Sequence, residues 1–166
     1  MSNNVLNVLW NYISFLDKVF NLLEKDNIDV SGYQLDHICY RVETVQRYGE
    51  LKTIFLKSAE LLSETIIWWR MISSFKLEQP LMYKEREIFI IEIPAPKEKN
   101  KYSEWLEHVE FVIDKSFEEF KNQYKNLNFD TRAEWKEINP DIQLRYEDCS
   151  VKFHQNSLEY VIKYLE

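Results

Sequence analysis

Glycine and proline are scarce in this chain, at 2 and 4 of 166 residues. So few breakers exclude collagen-like and low-complexity readings. Cysteine is scarce too. Cys39 and Cys149 stand alone, with no CxxC and no disulfide framework, and read as two reduced, partly buried thiols of a cytosolic protein. No apolar run nears the ~18–20 residues of a membrane span, and no basic–apolar–small leader opens the sequence. The expectation is a soluble, cytoplasmic protein without a membrane partner. Basic residues are outnumbered, 21 Lys and Arg against 28 Asp and Glu, for a net charge of -7. A phosphate backbone calls for a basic face, so nucleic acid is not an expected partner.

What is present is apolar and aromatic: 45% hydrophobic and 15% aromatic residues, ample for an ordered core in a chain of single-domain length. Val5, Leu9, Ile13, Leu16, Phe20 and Leu23 recur every three or four residues and predict a helix over Val5 to Lys25, capped by Ser2, Asn3 or Asn4. Its stripe packs on the body of the protein or forms a dimer surface, so monomer and homodimer both stay open. After a turn at Gly32, Leu35 to Val42 alternates as a strand. Thr44 to Leu62 has helical spacing. Glu64 to Leu77 is rich in Ile, Trp and Phe and reads as a long strand or hairpin that Pro80 breaks. Arg86 to Pro94 is a further strand, and Pro94 to Lys101 a linker. The stretch Tyr102 to Ile113, YSEWLEHVEFVI, predicts another strand. Lys115 to Asn126 reads as a helix, with Phe117, Phe120 and Tyr124 inward. Ala133 to Ile138 and Ile142 to Tyr146 predict two short strands parted at Pro140. Ser150 to His154 is a closing strand, and Leu158 to Leu165 a final helix.

The order strand, helix, two weaker strands, strand occurs twice, over about 32–96 and about 102–166, following an N-terminal segment 1–31. Polar residues mark matching places. His37 and His108 sit on the opening strands, 71 residues apart (108 − 37), and Glu92 and His154 on the closing strands, 62 apart (154 − 92). The chain has 3 histidines, and all fall in this set. In a strand, residues two apart share a face, so His108 and Glu110 share one side, as do His37, Cys39 and Arg41. Imidazoles with carboxylates suit zinc, iron, nickel, manganese or cobalt, and two or three histidines with a glutamate leave a position for water or substrate. The ligand set proposed from the residues is His37, Glu92, His108 and His154. Glu110 is a further ligand, a pocket wall or a catalytic base, and Cys39 a lining group. Arg41, Arg70 and Lys152 fall on the same faces and suit an anionic substrate. Each group also has an ordinary role: histidines hydrogen-bonded in a core, Glu92 paired with Arg41 or Arg70, and His154 turned outward by a one-residue slip. Of Trp68 and Trp69, one ring per face is expected, walling the pocket or packing in the core.

Taken together, these residues resemble the vicinal oxygen chelate superfamily, which includes glyoxalase I, methylmalonyl-CoA epimerase, extradiol dioxygenases and bleomycin-resistance proteins. The segments DHICYRV, LLSE, IIEIPAP, WLEHVEFVI and VKFHQNSLEYVI resemble, more narrowly, the YecM family. The resemblance implies an α+β fold in which two βαβββ modules curl one mixed sheet around a single metal site, with the N-terminal helix outside. It matches His37, Glu92 and His108 to ligand places. His154 stands where glyoxalase-like members most often carry glutamate, and this weakens any transfer of their chemistry. The expected function is divalent-metal binding, with isomerase or oxygenase action on a small oxygen-chelating substrate. Binding or sequestering a small molecule without catalysis is the alternative, and a partner-binding domain with a vestigial site a third.

Overall fold

The computed structural model describes residues 3–67, 69–97 and 103–165. The predicted cap Ser2, the Trp68 ring, residues 98–101 of the predicted linker and Tyr102 of the predicted strand lie outside them. The elements run α1 (Asn3–Val8), α2 (Tyr12–Lys25), β1 (Gln34–Arg41), α3 (Val45–Phe55), β2 (Ala59–Ile67), β3 (Arg70–Tyr83), β4 (Arg86–Pro94), β5 (Trp105–Val112), α4 (Phe117–Gln123), β6 (Ile142–Arg145), β7 (Ser150–His154) and α5 (Leu158–Tyr164). Side-chain caps fix several starts: Thr44 accepts from the Arg47 N–H, and Ser116 and Glu119 form a reciprocal capping box.

The strands form one sheet of 7 in the order β2-β3-β4-β1-β5-β7-β6. Each half is built around a parallel pair, β1 with β4 and β5 with β7, and the halves join through the antiparallel pair β1 and β5. This is the mixed α+β sheet that the resemblance implied. One face carries Ile38, Phe75, Ile91, Val109, Phe111, Val151 and Phe153, all fully buried. Phe111 meets Phe20 of α2, and Phe153 meets Phe120 of α4, so helices cover this face. Burying one such side chain contributes about 1.5–3 kcal/mol, and the row fixes which face each strand turns inward. The opposite face receives the polar residues.

Several expectations need correction. The N-terminal helix is broken: the Tyr12 N–H bonds to the Leu9 carbonyl at 2.9 Å, and α2 restarts out of phase. Ile13 therefore faces outward at 42% exposure, while Phe15 and Val19 turn in. The predicted helix over Thr44 to Leu62 stops at Phe55, and Ala59 to Leu61 pairs with β3 instead, tertiary pairing overriding local periodicity. Pro80 does not end its strand. It lies in a register irregularity between Lys76 and Leu81, a place where a missing N–H costs little. Ala133–Ile138 forms turns and bends rather than a strand, so among the described residues the second module has fewer strands than the first. A lone bridge between Asp130 and Gln143 stands beside β6. Trp69 sits at a left-handed turn position (φ 66°) and is 96% exposed, so its ring walls no pocket.

Candidate metal centre

Strand pairing brings the polar residues together in two rows across the sheet. One row reads Ser74, Glu92, Cys39, His108, Ser150 on β3, β4, β1, β5 and β7. The next reads Lys76, Ile90, His37, Glu110, Lys152 on the same strands. Directly opposed side chains in a sheet stand about 4.5–5.5 Å apart at Cβ. Glu110 is thus flanked by His37 on one side and Lys152 on the other, with His108 two residues back along its own strand. His154 lies two residues beyond Lys152 on β7.

Glu110 is the hub. Its Oε1 lies 3.1 Å from His108 Nε2 and 3.3 Å from His37 Nε2, and its Oε2 lies 3.7 Å from His154 Nε2. Lys152 Nζ donates to Glu110 Oε1 at 2.5 Å and meets His108 Nε2 at 3.0 Å. The His37 ring lies 6.4 Å from the His108 ring and 6.0 Å from the His154 ring. All these groups except Lys152 are at most 5% exposed.

Two acids that alternation hides complete the cluster. β1 and β5 slip register twice: Leu35 and His37 pair with consecutive residues of β5, skipping Asp36, and Cys39 and Tyr40 pair with His108 and Leu106, skipping Glu107. An extra residue in a strand re-aims side chains locally, and each bulge turns an acid toward its histidine. Asp36 Oδ2 accepts from His37 Nδ1 at 2.9 Å and from the Leu158 N–H at 2.9 Å, and lies 3.7 Å from His154 Nε2. Glu107 Oε2 lies 3.8 Å from His108 Nδ1 and 3.9 Å from Cys39 Sγ. The available signal was the acid one place before each histidine, Asp36–His37 and Glu107–His108.

The predicted residues fall into overlapping groups. The structure brings possible ligand atoms of His37, His108 and Glu110 within 4.8 Å of one another, and likewise those of Asp36, His37 and His154, and those of Cys39, Glu92 and His108. Glu92 shares a group with His108 but with neither His37 nor His154, because the parallel register sets it beside Cys39, one row away. Lys152 points into the cluster. Arg41 instead donates to Glu107 at 3.4 Å and to the Ser103 carbonyl at 3.3 Å, and Arg70 Nε is buried without a hydrogen bond.

Burial pulls the His37 imidazolium down, yet the Glu110 charge and the Asp36 hydrogen bond outweigh it and push His37 up to about 10. Burial opposes the Glu110 carboxylate, but Lys152 and His37 hold it well below the usual range. Burial also opposes the Lys152 ammonium; the Glu110 and Glu92 charges overcome this and hold it above the usual lysine range. His154 goes the other way: burial lowers it and favours a neutral ring with a free lone pair.

The residues fit a divalent ion. Asp36 Oδ1, His37 Nε2, His154 Nδ1 and His154 Nε2 are buried without a hydrogen-bond partner, four of the five such side-chain atoms among the described residues. An orphaned buried polar atom costs about 1–3 kcal/mol. Imidazole nitrogens and a carboxylate oxygen left without hydrogen-bond partners are what a cation satisfies, His37 giving up its Nε2 proton to bind it. Beside the cluster, a cavity of about 320 Å³ is lined by Gln34, Asp36, Lys76, Ile90, Ser157 and Glu159. Its size is at the small end of ligand sites, about 300–1,000 Å³.

Comparison with known proteins places the chain. An uncharacterized protein of Haemophilus influenzae is 34% identical over 99 residues, covering 60% of this chain and 52% of the relative. The chain spans about half the length of the curated relatives it matches. The solved structural-genomics "Protein EC4020" superposes with a TM-score of 0.83 at 22% identity, covering 99% of this chain and 94% of that one. Methylmalonyl-CoA epimerase of Streptomyces coelicolor, a variant solved with 2-nitronate-propionyl-CoA, superposes with a TM-score of 0.52 at 12% identity, over 73% of this chain and 95% of that one; at that identity the likeness is one of fold. Residues 4–138 match the YecM protein family. The chain belongs to that family, and its fold is that of the vicinal oxygen chelate superfamily.

Proposed function

We propose that this protein holds one divalent metal ion through His37, His108, His154 and Glu110, and presents it to a small oxygen-chelating ligand entering from the Asp36 side. The observation that carries the reading is the convergence of the three imidazole Nε2 atoms on Glu110, at 3.1, 3.3 and 3.7 Å, with His37 and His154 left unpartnered there. Zinc, iron, nickel, manganese and cobalt all suit the donor set. Bound there, such an ion would act as a Lewis acid that polarises a substrate oxygen.

The chain's own residues have separable roles in this reading. Asp36 accepts from His37 Nδ1 and so fixes that ring with Nε2 toward the centre. Glu107 stands at the corresponding nitrogen of His108. Glu110, enclosed by Lys152 and the histidines, serves as a ligand. Glu92, half-buried on the same face beside Cys39, is the base candidate for moving a proton. Arg70, at the start of β3 with its Nε buried and unpartnered, is a candidate for an anionic group on the substrate. A metal-dependent isomerase or oxygenase uses these roles. The second reading, a binding protein without catalysis, draws on the cavity beside Asp36, where Lys76 and Glu159 pair at 2.6 Å.

Elemental analysis of untagged protein tests the shared premise. About one ion per chain is expected, lost in His37→Ala and in His108→Ala. Metal content indifferent to both substitutions would overturn the reading.

A further inference from the structure

Lys152 is the cationic side chain aimed into the centre of this cluster. Its Nζ takes two contacts, with Glu110 Oε1 at 2.5 Å and His108 Nε2 at 3.0 Å. Both partners belong to one of the groups whose atoms lie within 4.8 Å of one another. A neutral imidazole nitrogen has a single lone pair. While His108 Nε2 accepts from the lysine it cannot bind a metal, and Glu110 Oε1 is occupied by the same ammonium. Cross-strand pairing of Glu110 with Lys152 holds the two backbones in register, so the contact is built into the sheet.

We infer that Lys152 is a tethered cation that occupies the centre in the metal-free protein and must swing aside for an ion to bind. The inference rests on the metal reading above and adds the residue that sets how tightly the ion is held. Without Lys152, the buried Glu110 carboxylate would stand among three rings with too few donors, a costly arrangement. With it, the Glu110 charge is neutralised. The lysine also has somewhere to go. Its side chain is 21% exposed, so the ammonium can turn out to water. Loading becomes an exchange of one cation for another, so affinity is set by the difference between the two and favours ions that bind nitrogen and carboxylate strongly.

The test is titration of untagged protein with zinc chloride by calorimetry, beside thermal melts with and without zinc. Lys152→Met removes the competing charge and should tighten zinc about ten- to a hundredfold, the worth of one hydrogen bond to a charged group. The same variant should melt lower than the wild type without zinc and recover with it. Lys152→Arg keeps the charge and should not tighten zinc. Lys152→Gln, neutral but able to hydrogen-bond Glu110, serves if Lys152→Met does not fold, and should also tighten binding. Zinc affinity equal to or weaker than wild type in the neutral variants, with binding still lost in His37→Ala, overturns the inference and leaves the metal reading intact. Zinc binding that ignores His37→Ala in every background overturns both.

Discussion

Asp36 and Glu107 hold matching positions: each is the residue passed over at a bulge between β1 and β5, and each lies one place before a histidine of the cluster. The two are 71 residues apart (107 − 36), the same interval as between His37 and His108. The repeat therefore conserves a pair, acid and imidazole, together with the backbone irregularity that turns both to one side. Of the two contacts, the first is a hydrogen bond at 2.9 Å and the second a longer approach at 3.8 Å.

The closer contact predicts a difference. Asp36→Asn keeps an acceptor for the Leu158 N–H but removes the charge that orients His37. Metal affinity should fall about 10–100-fold, the usual cost of losing such a partner. Glu107→Gln should cost less. Calorimetric titration of both variants checks the order, and equal losses would count against a distinct role for Asp36.

Much of this is legible in the amino-acid sequence. Alternation along Leu35–Val42 and around His108 placed both histidines on the polar face, and the spacing of the two halves placed His154 with them. What alternation could not carry was the bulges, because an inserted residue changes facing without changing composition. Asp36 and Glu107 were hidden for that reason. Register was the second gap. Sequence gives the face a residue takes but not the row, and the row decides that Glu110, rather than Glu92, stands opposite His37. In place of the strand expected over Ala133–Ile138, backbone bonds close local turns, from the Glu134 N–H to the Thr131 carbonyl at 3.0 Å and from the Lys136 N–H to the Ala133 carbonyl at 3.3 Å.

Buried Glu110 pairs with part-buried Lys152, whose side chain is 21% exposed, and removing one member leaves the other uncompensated. Glu110→Gln should destabilise the protein by at most about 3–5 kcal/mol, the cost of breaking a fully buried pair. In Glu110→Gln/Lys152→Met the loss should be smaller than the sum of the two single losses, because each single variant exposes the same cost. Urea unfolding of the four proteins measures this. Strict additivity would show that the pair does not interact as the geometry implies.

Away from the centre, Asp130 supplies a pH dependence. Hydrogen bonds from Arg132 and then Arg145 hold its carboxylate well below the usual range, although its side chain is 15% exposed. A depressed folded-state value means that the stabilisation is fully present above the unfolded value, about 3.9, and is lost as pH falls through the folded one. Wild type should be more stable than Asp130→Asn at neutral pH, with the gap narrowing below about pH 4. Unfolding free energies measured at pH 7 and pH 3 decide it, and a gap that widens on acidification would refute the assignment.

The most direct test of the metal centre is anomalous diffraction from crystals grown with zinc or manganese, recorded at the absorption edge of the ion. The account predicts one peak bounded by His37 Nε2, His108 Nε2, His154 Nε2 and Glu110, about 2.0–2.2 Å from its ligand atoms, with the Lys152 ammonium moved off Glu110. A peak elsewhere, or an empty centre with Lys152 still on Glu110 at saturating metal, would contradict it.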